Sequence, residues 1–238
     1  MSDPSGNAAI TSNAGDEHPW LFEDRREAGR RLAAALDRYR AKRPLVLGLP
    51  RGGVPIAAEI AIALGAPLDV MPVRKLGAPS HRELGIGAIA SGGILVLDDA
   101  IVGELRIQAD ELSRIAAEEL RELDRQRLKF RGDRPPLDLH EQTVILADDG
   151  LATGVSAAAA SKAARTLGAR WVILAVPVGA PESVAALQSQ VDELVCLASP
   201  ANFHAVGLWY RDFEQTTDES VIRLLEEARM RAGATGRE

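Results

Sequence analysis

The sequence predicts one α/β domain with a mainly parallel central sheet flanked by helices. Three observations carry this. The runs LVLGL (45–49), TVILA (143–147) and WVILAVPV (171–178) are apolar but for Thr143, as strands buried on both faces are. A glycine- or proline-bearing turn and then a segment of helical periodicity follow each run. Strand and helix therefore alternate, and parallel neighbours need a crossover helix of this kind. No internal repeat and no second composition regime divides the chain.

The elements follow in order. Residues 1–19 are rich in Ser, Asn, Gly, Asp and Pro, and they predict a disordered tail. They lack the basic start and apolar core of a secretory signal, and His18 among them has no ligand-spaced partner. Over 21–40, Leu21, Ala28, Leu32, Ala35, Leu36 and Tyr39 share one helical face, and Pro44 stops the helix. The strand 45–49 meets the loop Pro50-Arg51-Gly52-Gly53, a helix spans 54–64 up to Gly65, and a strand at 68–73 ends at Arg74-Lys75. Strand, helix and strand in about thirty residues form a parallel βαβ unit.

Residues 76–93 are glycine-rich and read as irregular, with a short strand at 94–97. Leu105, Ala109, Leu112, Ala116, Leu120 and Leu123 mark one long amphipathic helix over 104–129, broken by the segment 131–136. Strands at 143–147, 171–178 and 191–197 alternate with helices at 156–167 and 182–188, and a helix near 218–230 closes the chain. The domain is predicted over 20–230, with a flexible C-terminus at 231–238.

Composition bounds the function. A chain of 238 residues buries roughly 70–75% of its unfolded surface and needs no staple. Its 34 acidic side chains outnumber 28 basic ones, for a net charge of −6, which argues against duplex nucleic acid as the ligand. The one cysteine, Cys196, excludes a disulfide within the chain and fits a reducing cytoplasm. No run of about eighteen apolar residues offers a membrane span.

The chemistry concentrates in DDGLATGVS. A strand ending at Ala147 delivers Asp148 and Asp149 to its C-terminal edge, where open α/β sheets bind ligands. Gly150, Leu151, Ala152, Thr153, Gly154, Val155 and Ser156 then turn into a helix. Small residues let backbone amides approach a phosphate there, and the helix N-terminus favours the anion. Thr153 and Ser156 add hydroxyl donors. Paired carboxylates beside an anion cradle suit a ligand with both a phosphate and a diol, as a ribose 5-phosphate has.

This strand-to-helix run closely resembles the signature of type I phosphoribosyltransferases that binds 5-phosphoribosyl 1-diphosphate (PRPP). The resemblance covers roughly residues 21–228 and points to an uncharacterised branch of such domains, whose endings are similar to the segment from Asn202 to Glu219. It implies a single domain with a small hood over the sheet edge, PRPP and a nitrogen base as substrates, and Mg²⁺ arriving with PRPP without a direct protein ligand. Asp148 and Asp149 would hold the ribose hydroxyls and residues 150–156 the 5-phosphate. Arg51, Gly52 and Gly53 resemble the pyrophosphate loop. Arg74 and Lys75 stand where adenine-type relatives carry Arg-Lys, and would stabilise the leaving group; otherwise they are a solvated strand end.

Other features are weaker. Phe203, Trp209, Tyr210 and Phe213 crowd into eleven residues, and they either stack on the base or anchor the hood. Arg125, Arg127, Arg131 and Arg134 form either a mobile flap or a solvated helix face. Asp98-Asp99 lacks a following Thr-Gly and reads as a turn. The pattern from Gly85 to Ala90 follows no strand and is no dinucleotide loop, and a P-loop is absent. His81, His140 and His204 lack metal-ligand spacing. The acceptor base cannot be read, and a homodimer is left open. The rival readings are a non-catalytic PRPP- or nucleotide-binding regulatory protein and an enzyme of another sugar phosphate.

Overall fold

Alternate residues of the apolar strands face opposite sides of one sheet, and both sides are covered. A computed structural model describes residues 21–79 and 81–235, so the predicted 1–19 tail lies outside the described residues. The central sheet is built from β1 (Leu45–Gly48), β2 (Leu68–Val70), β6 (Thr143–Ala147), β7 (Trp171–Val178) and β8 (Glu193–Ala198). Its order is β2-β1-β6-β7-β8, with every pair parallel. Val46, Ile145 and Ile173 align across three strands and pack beneath α1 (Arg25–Leu36), α2 (Gly53–Leu64) and α7 (Asp218–Thr235). Leu47, Leu146 and Leu174 face the opposite layer, where α5 (Val155–Thr166) presents Ala157, Ala160 and Ala164. That two-sided burial is why the strands read as continuous apolar runs. The sheet confirms the mainly parallel, single-domain α/β architecture.

The glycine-rich middle is not irregular. β3 (Val73–Ala78), β4 (His81–Ala90) and β5 (Ile94–Leu97) form a second, antiparallel sheet in that order. β5 matches the strand predicted at 94–97; glycine weakens strand propensity and hid β3 and β4, where it serves close packing. A Cβ on Gly87 would lie 2.3 Å from the Val96 carbonyl oxygen. Pro72 interrupts the predicted 68–73 strand after Val70, and the chain crosses to the second sheet. Arg74 and Lys75 therefore sit inside β3 and do not close a buried strand.

The predicted 104–129 helix is two helices, α3 (Asp99–Glu104) and α4 (Ala109–Arg131). Arg106 at φ 50° turns the chain between them, leaving Leu105 exposed at the junction. Ile115 and Leu120 of α4 cover Leu76, Ile86 and Ile89 of the antiparallel sheet. Arg125 and Arg127 pair with Glu122 and Asp124 along the solvated face of α4. Arg131 and Arg134 instead grip the buried Asp69 of β2, at 3.2 and 3.1 Å, which pins the arginine cluster down.

At the N-terminus, Asp24 caps α1 by accepting from the Glu27 amide at 2.7 Å, so the helix starts at Arg25 and not at residue 21. Leu21 and Phe22 leave the helix and join a small hood, where Phe22 bridges Tyr210. Phe22, Tyr210, Phe203, Val206, Trp209 and Phe213 pack together above Val178 at the sheet's C-terminal edge. The remaining helix, α6 (Pro181–Gln188), follows β7.

Candidate functional site

β1 and β6 are parallel neighbours, so the loops after them meet at one edge. The Leu49 amide donates to the Ala147 carbonyl at 2.9 Å, which ties the first loop to β6, and the Gly53 amide donates to the Leu49 carbonyl at 3.0 Å within that loop. Gly53 lies so close that a Cβ there would be 2.3 Å from the Ala147 oxygen and 2.9 Å from the Asp148 Cα. Gly52 abuts the Asp149 carboxylate in the same way. The glycines of Arg51-Gly52-Gly53 are thus explained by contact with Asp148 and Asp149. The Pro50–Arg51 peptide in the loop after β1 is cis.

Beyond the carboxylates the motif turns into α5. Leu151 is buried and its amide donates to the Val178 carbonyl at 2.9 Å, anchoring the turn. Ala152 and Thr153 are exposed, Ser183 Oγ donates to the Ala152 carbonyl at 2.6 Å, and Gly154 adopts φ 72° just before Val155 opens the helix. A residue with a side chain is strained at that φ. The first amides of α5, through Ser156, face the edge without intrahelical acceptors, an arrangement suited to a phosphate. A cleft of about 320 Å³ runs beside Thr153, Gly154 and Val155. Asp98 on its far wall caps α3 through the Ile101 amide at 3.1 Å, the structural role its turn-like sequence suggests.

The two carboxylates share one electrostatic environment. Burial pushes the Asp148 carboxyl well above the usual carboxylate range, the Asp149 charge adds to the rise, and Lys75 and Arg25 oppose it. Burial raises Asp149 too, against the pull of Arg25. The Asp149 amide donates to Asp148 Oδ1 at 2.9 Å.

The predicted cations divide. Lys75 acts on both aspartates, while Arg74 turns to α4 and pairs with Glu119 at 2.9 Å. Both line a cavity of about 490 Å³ between β3 and α4. Arg51 leans toward Asp218 at the start of α7, 3.6 Å away. The aromatics divide as well. Phe203 and Trp209 stack with ring centroids 6.4 Å apart, whereas Tyr210 is buried between Phe22 and Phe213. Its hydroxyl, kept protonated by burial, donates to the Asp149 carbonyl at 2.7 Å. Cys196 lies in β8 with its thiol pushed up to about 11 by burial, which leaves it unreactive near neutrality.

One site residue escaped the sequence. Arg25 donates from Nε to Asp149 Oδ2 at 2.9 Å, across 124 positions of chain. No local pattern joins the start of a surface-charged helix to a distant carboxylate, so only the hood's packing reveals it. Among the described residues, no group of three or more His, Cys, Asp and Glu side chains could hold a metal ion. No helix there is long and apolar enough to cross a membrane.

Comparison with known proteins identifies the family. The model of the family described as phosphoribosyl transferase domain matches residues 23–211. A Mycobacterium tuberculosis protein that bears the provisional name phosphoribosyl transferase is 47% identical over 208 residues. That match takes in 87% of this chain but 47% of the relative, so the chain spans about half the length of the curated relatives it matches. The crystal structure of TT1426 from Thermus thermophilus is 43% identical with a TM-score of 0.74, covering 87% of this chain and 98% of that one.

Proposed function

Because the chain belongs to the phosphoribosyl transferase domain family, we propose that it transfers the ribose 5-phosphate of PRPP to a nitrogen base and releases pyrophosphate. The observation that carries this reading is the interlock of the Arg51-Gly52-Gly53 loop with Asp148-Asp149 beside the open N-terminus of α5. Together they offer a diphosphate loop, a diol acceptor and a phosphate cradle at one sheet edge.

In this mechanism the base nitrogen bonds to the anomeric carbon as the bond from that carbon to the diphosphate oxygen breaks. Charge develops on the ribose ring and on the leaving oxygen, as at other glycosidic centres. Asp148 and Asp149 orient the ribose through its hydroxyls, and the amides from Gly150 to Ser156 fix its phosphate. Lys75, which acts electrostatically on the aspartates, and the Gly52 and Gly53 amides receive the leaving diphosphate. Arg51 and Arg74 join them by releasing Asp218 and Glu119. The residues fit a divalent ion that arrives with its ligand: Mg²⁺ keeps much of its shell as water and phosphate oxygen, so a preformed protein cage is not required. Bound there, Mg²⁺ would neutralise charge on the diphosphate. Phe203 and Trp209 would offer a base their stacked rings under the hood, while the Tyr210 hydroxyl supports Asp149. The reading takes PRPP and a base as partners, with neither nucleic acid nor membrane, in the cytoplasm; it sits equally well with a homodimer.

Calorimetric titration of PRPP with Mg²⁺ tests it. Saturable binding near one per chain, lost when Asp148 and Asp149 are both changed to Asn, is the expected result. Silence toward both PRPP and ribose 5-phosphate would overturn it. Base-dependent pyrophosphate release over a panel of purines and pyrimidines then identifies the acceptor. Binding without release for any base would make the chain a PRPP-binding regulatory protein.

A further inference from the structure

Arg25 belongs to none of the motifs above, yet its guanidinium is among the most constrained groups of the site. Nε and Nη2 reach Asp149 Oδ2 at 2.9 and 2.8 Å, and Nη1 donates to the Glu214 carbonyl at 2.7 Å. The Phe213 ring lies beneath it, 3.8 Å from the guanidinium carbon to the ring centroid. The side chain is only 11% exposed, against 59% for Arg30 of the same helix. Both Asp149 contacts fall on a single oxygen, Oδ2.

We propose that Arg25 is a positioning residue of the ribose subsite, holding Asp149 in one rotamer with Oδ2 occupied and Oδ1 left to accept a ribose hydroxyl. The inference rests on the phosphoribosyltransferase reading. An aspartate beside a second carboxylate on a turn would otherwise rotate away or take up a proton. Arg25 opposes both, because a fork of N–H donors fixes orientation and its charge favours the ionised form. The backbone is held from the other side by the Tyr210 hydroxyl on the Asp149 carbonyl. With Nη1 committed to Glu214 and Phe213 below, Arg25 acts through Asp149 and does not itself reach for the diphosphate. The hood, which unites residues 21–25 with 203–214, is thereby part of the ribose site and more than a cover.

A double-mutant cycle tests this, with PRPP and Mg²⁺ as the probe and pH varied from about 5.5 to 8.5. Arg25→Gln should weaken PRPP binding about tenfold to a hundredfold, and the loss should shrink to about twofold or less in an Asp149→Asn background. It should also move the pH midpoint of binding upward, because Asp149 then loses the charge that keeps it ionised. Arg25→Lys, which keeps the charge without the fork, should recover the midpoint and part of the affinity. Unchanged affinity in Arg25→Gln, or an equal loss in both backgrounds, would overturn the proposal. Absence of PRPP binding by the unmodified protein would instead bring down the phosphoribosyltransferase reading itself. If Asp149→Asn binds too weakly to titrate, or Arg25→Gln melts early, the ¹³C titration of the Asp149 carboxyl in ligand-free protein decides. A midpoint raised in Arg25→Gln or Arg25→Ala relative to Arg25→Lys supports the role, and an unmoved one overturns it.

Discussion

Gly52 and Asp149 meet so closely that a Cβ on residue 52 would stand 2.0 Å from Asp149 Oδ2, the oxygen that Arg25 holds. Gly52 itself has an ordinary helical backbone, so the glycine is required by its neighbour and not by its own conformation. Gly53→Ala would instead press on the Ala147 carbonyl at 2.3 Å, which is backbone within the sheet edge. The two substitutions should therefore separate function from stability. Gly52→Ala can be relieved by rotating a side chain, so it should cost about 1 kcal/mol of stability and at least about tenfold in PRPP affinity. Gly53→Ala has no such relief and should cost about 3 kcal/mol or more. Thermal melts and PRPP calorimetry on both variants check this; equal melting temperatures would show that the two contacts are alike.

The raised Asp148 carboxyl makes a pH-dependent prediction. Its folded pKa lies above the unfolded value of about 3.9, so folding favours the protonated form. Its contribution to stability is fully present below the unfolded pKa and is lost as pH rises through the folded one. Asp148→Asn removes that loss. The variant should be more stable than the parent at pH 8 by on the order of 1 kcal/mol, with the gain fading toward pH 4. Its PRPP affinity should fall at the same time. Denaturant melts at pH 8, 6 and 4.5 measure this, and a gain that grows on acidification would contradict the assigned sign.

Asp69 balances two arginines in the interior, with Arg131 7% exposed and Asp69 8%. Arg131 also donates to the Pro135 carbonyl at 2.8 Å, closing the end of α4. Asp69→Ala leaves a buried guanidinium without its counter-charge and should cost about 3–5 kcal/mol. Arg134, whose side chain is 27% exposed, can reach water, so Arg134→Ala should cost about 1 kcal/mol. Urea unfolding of both variants measures the difference. Similar costs would mean that the cluster is an ordinary surface network.

How much of this was legible without coordinates depended on how local each signal is. The parallel core was, because strands buried on both faces are near-continuous apolar runs, and β1, β6 and β7 are such runs apart from Thr143 at the start of β6. The motif from Asp148 to Ser156 was as well, because a strand edge, two acids and a glycine-bearing helix start are contiguous. The antiparallel sheet beyond β5 was not: Gly85 and Gly87 weaken the local strand signal, and the close approach to the Val96 carbonyl that makes a glycine necessary exists only once β4 pairs with β5. Nor was the break at Arg106, since the apolar spacing runs on past it.

Sequence alone thus determined the fold class and the family signature from Asp148 to Ser156, written in periodicity and in consecutive residues. Only the tertiary structure decided which side chains the site uses and how. It paired Arg74 with Glu119, put Lys75 within electrostatic reach of the aspartates, sank the Tyr210 ring into the hood, and brought Arg25 across 124 positions to Asp149. Those outcomes depend on how the hood and the second sheet pack against the edge of the first, and contacts between residues so distant in the chain leave no spacing to read.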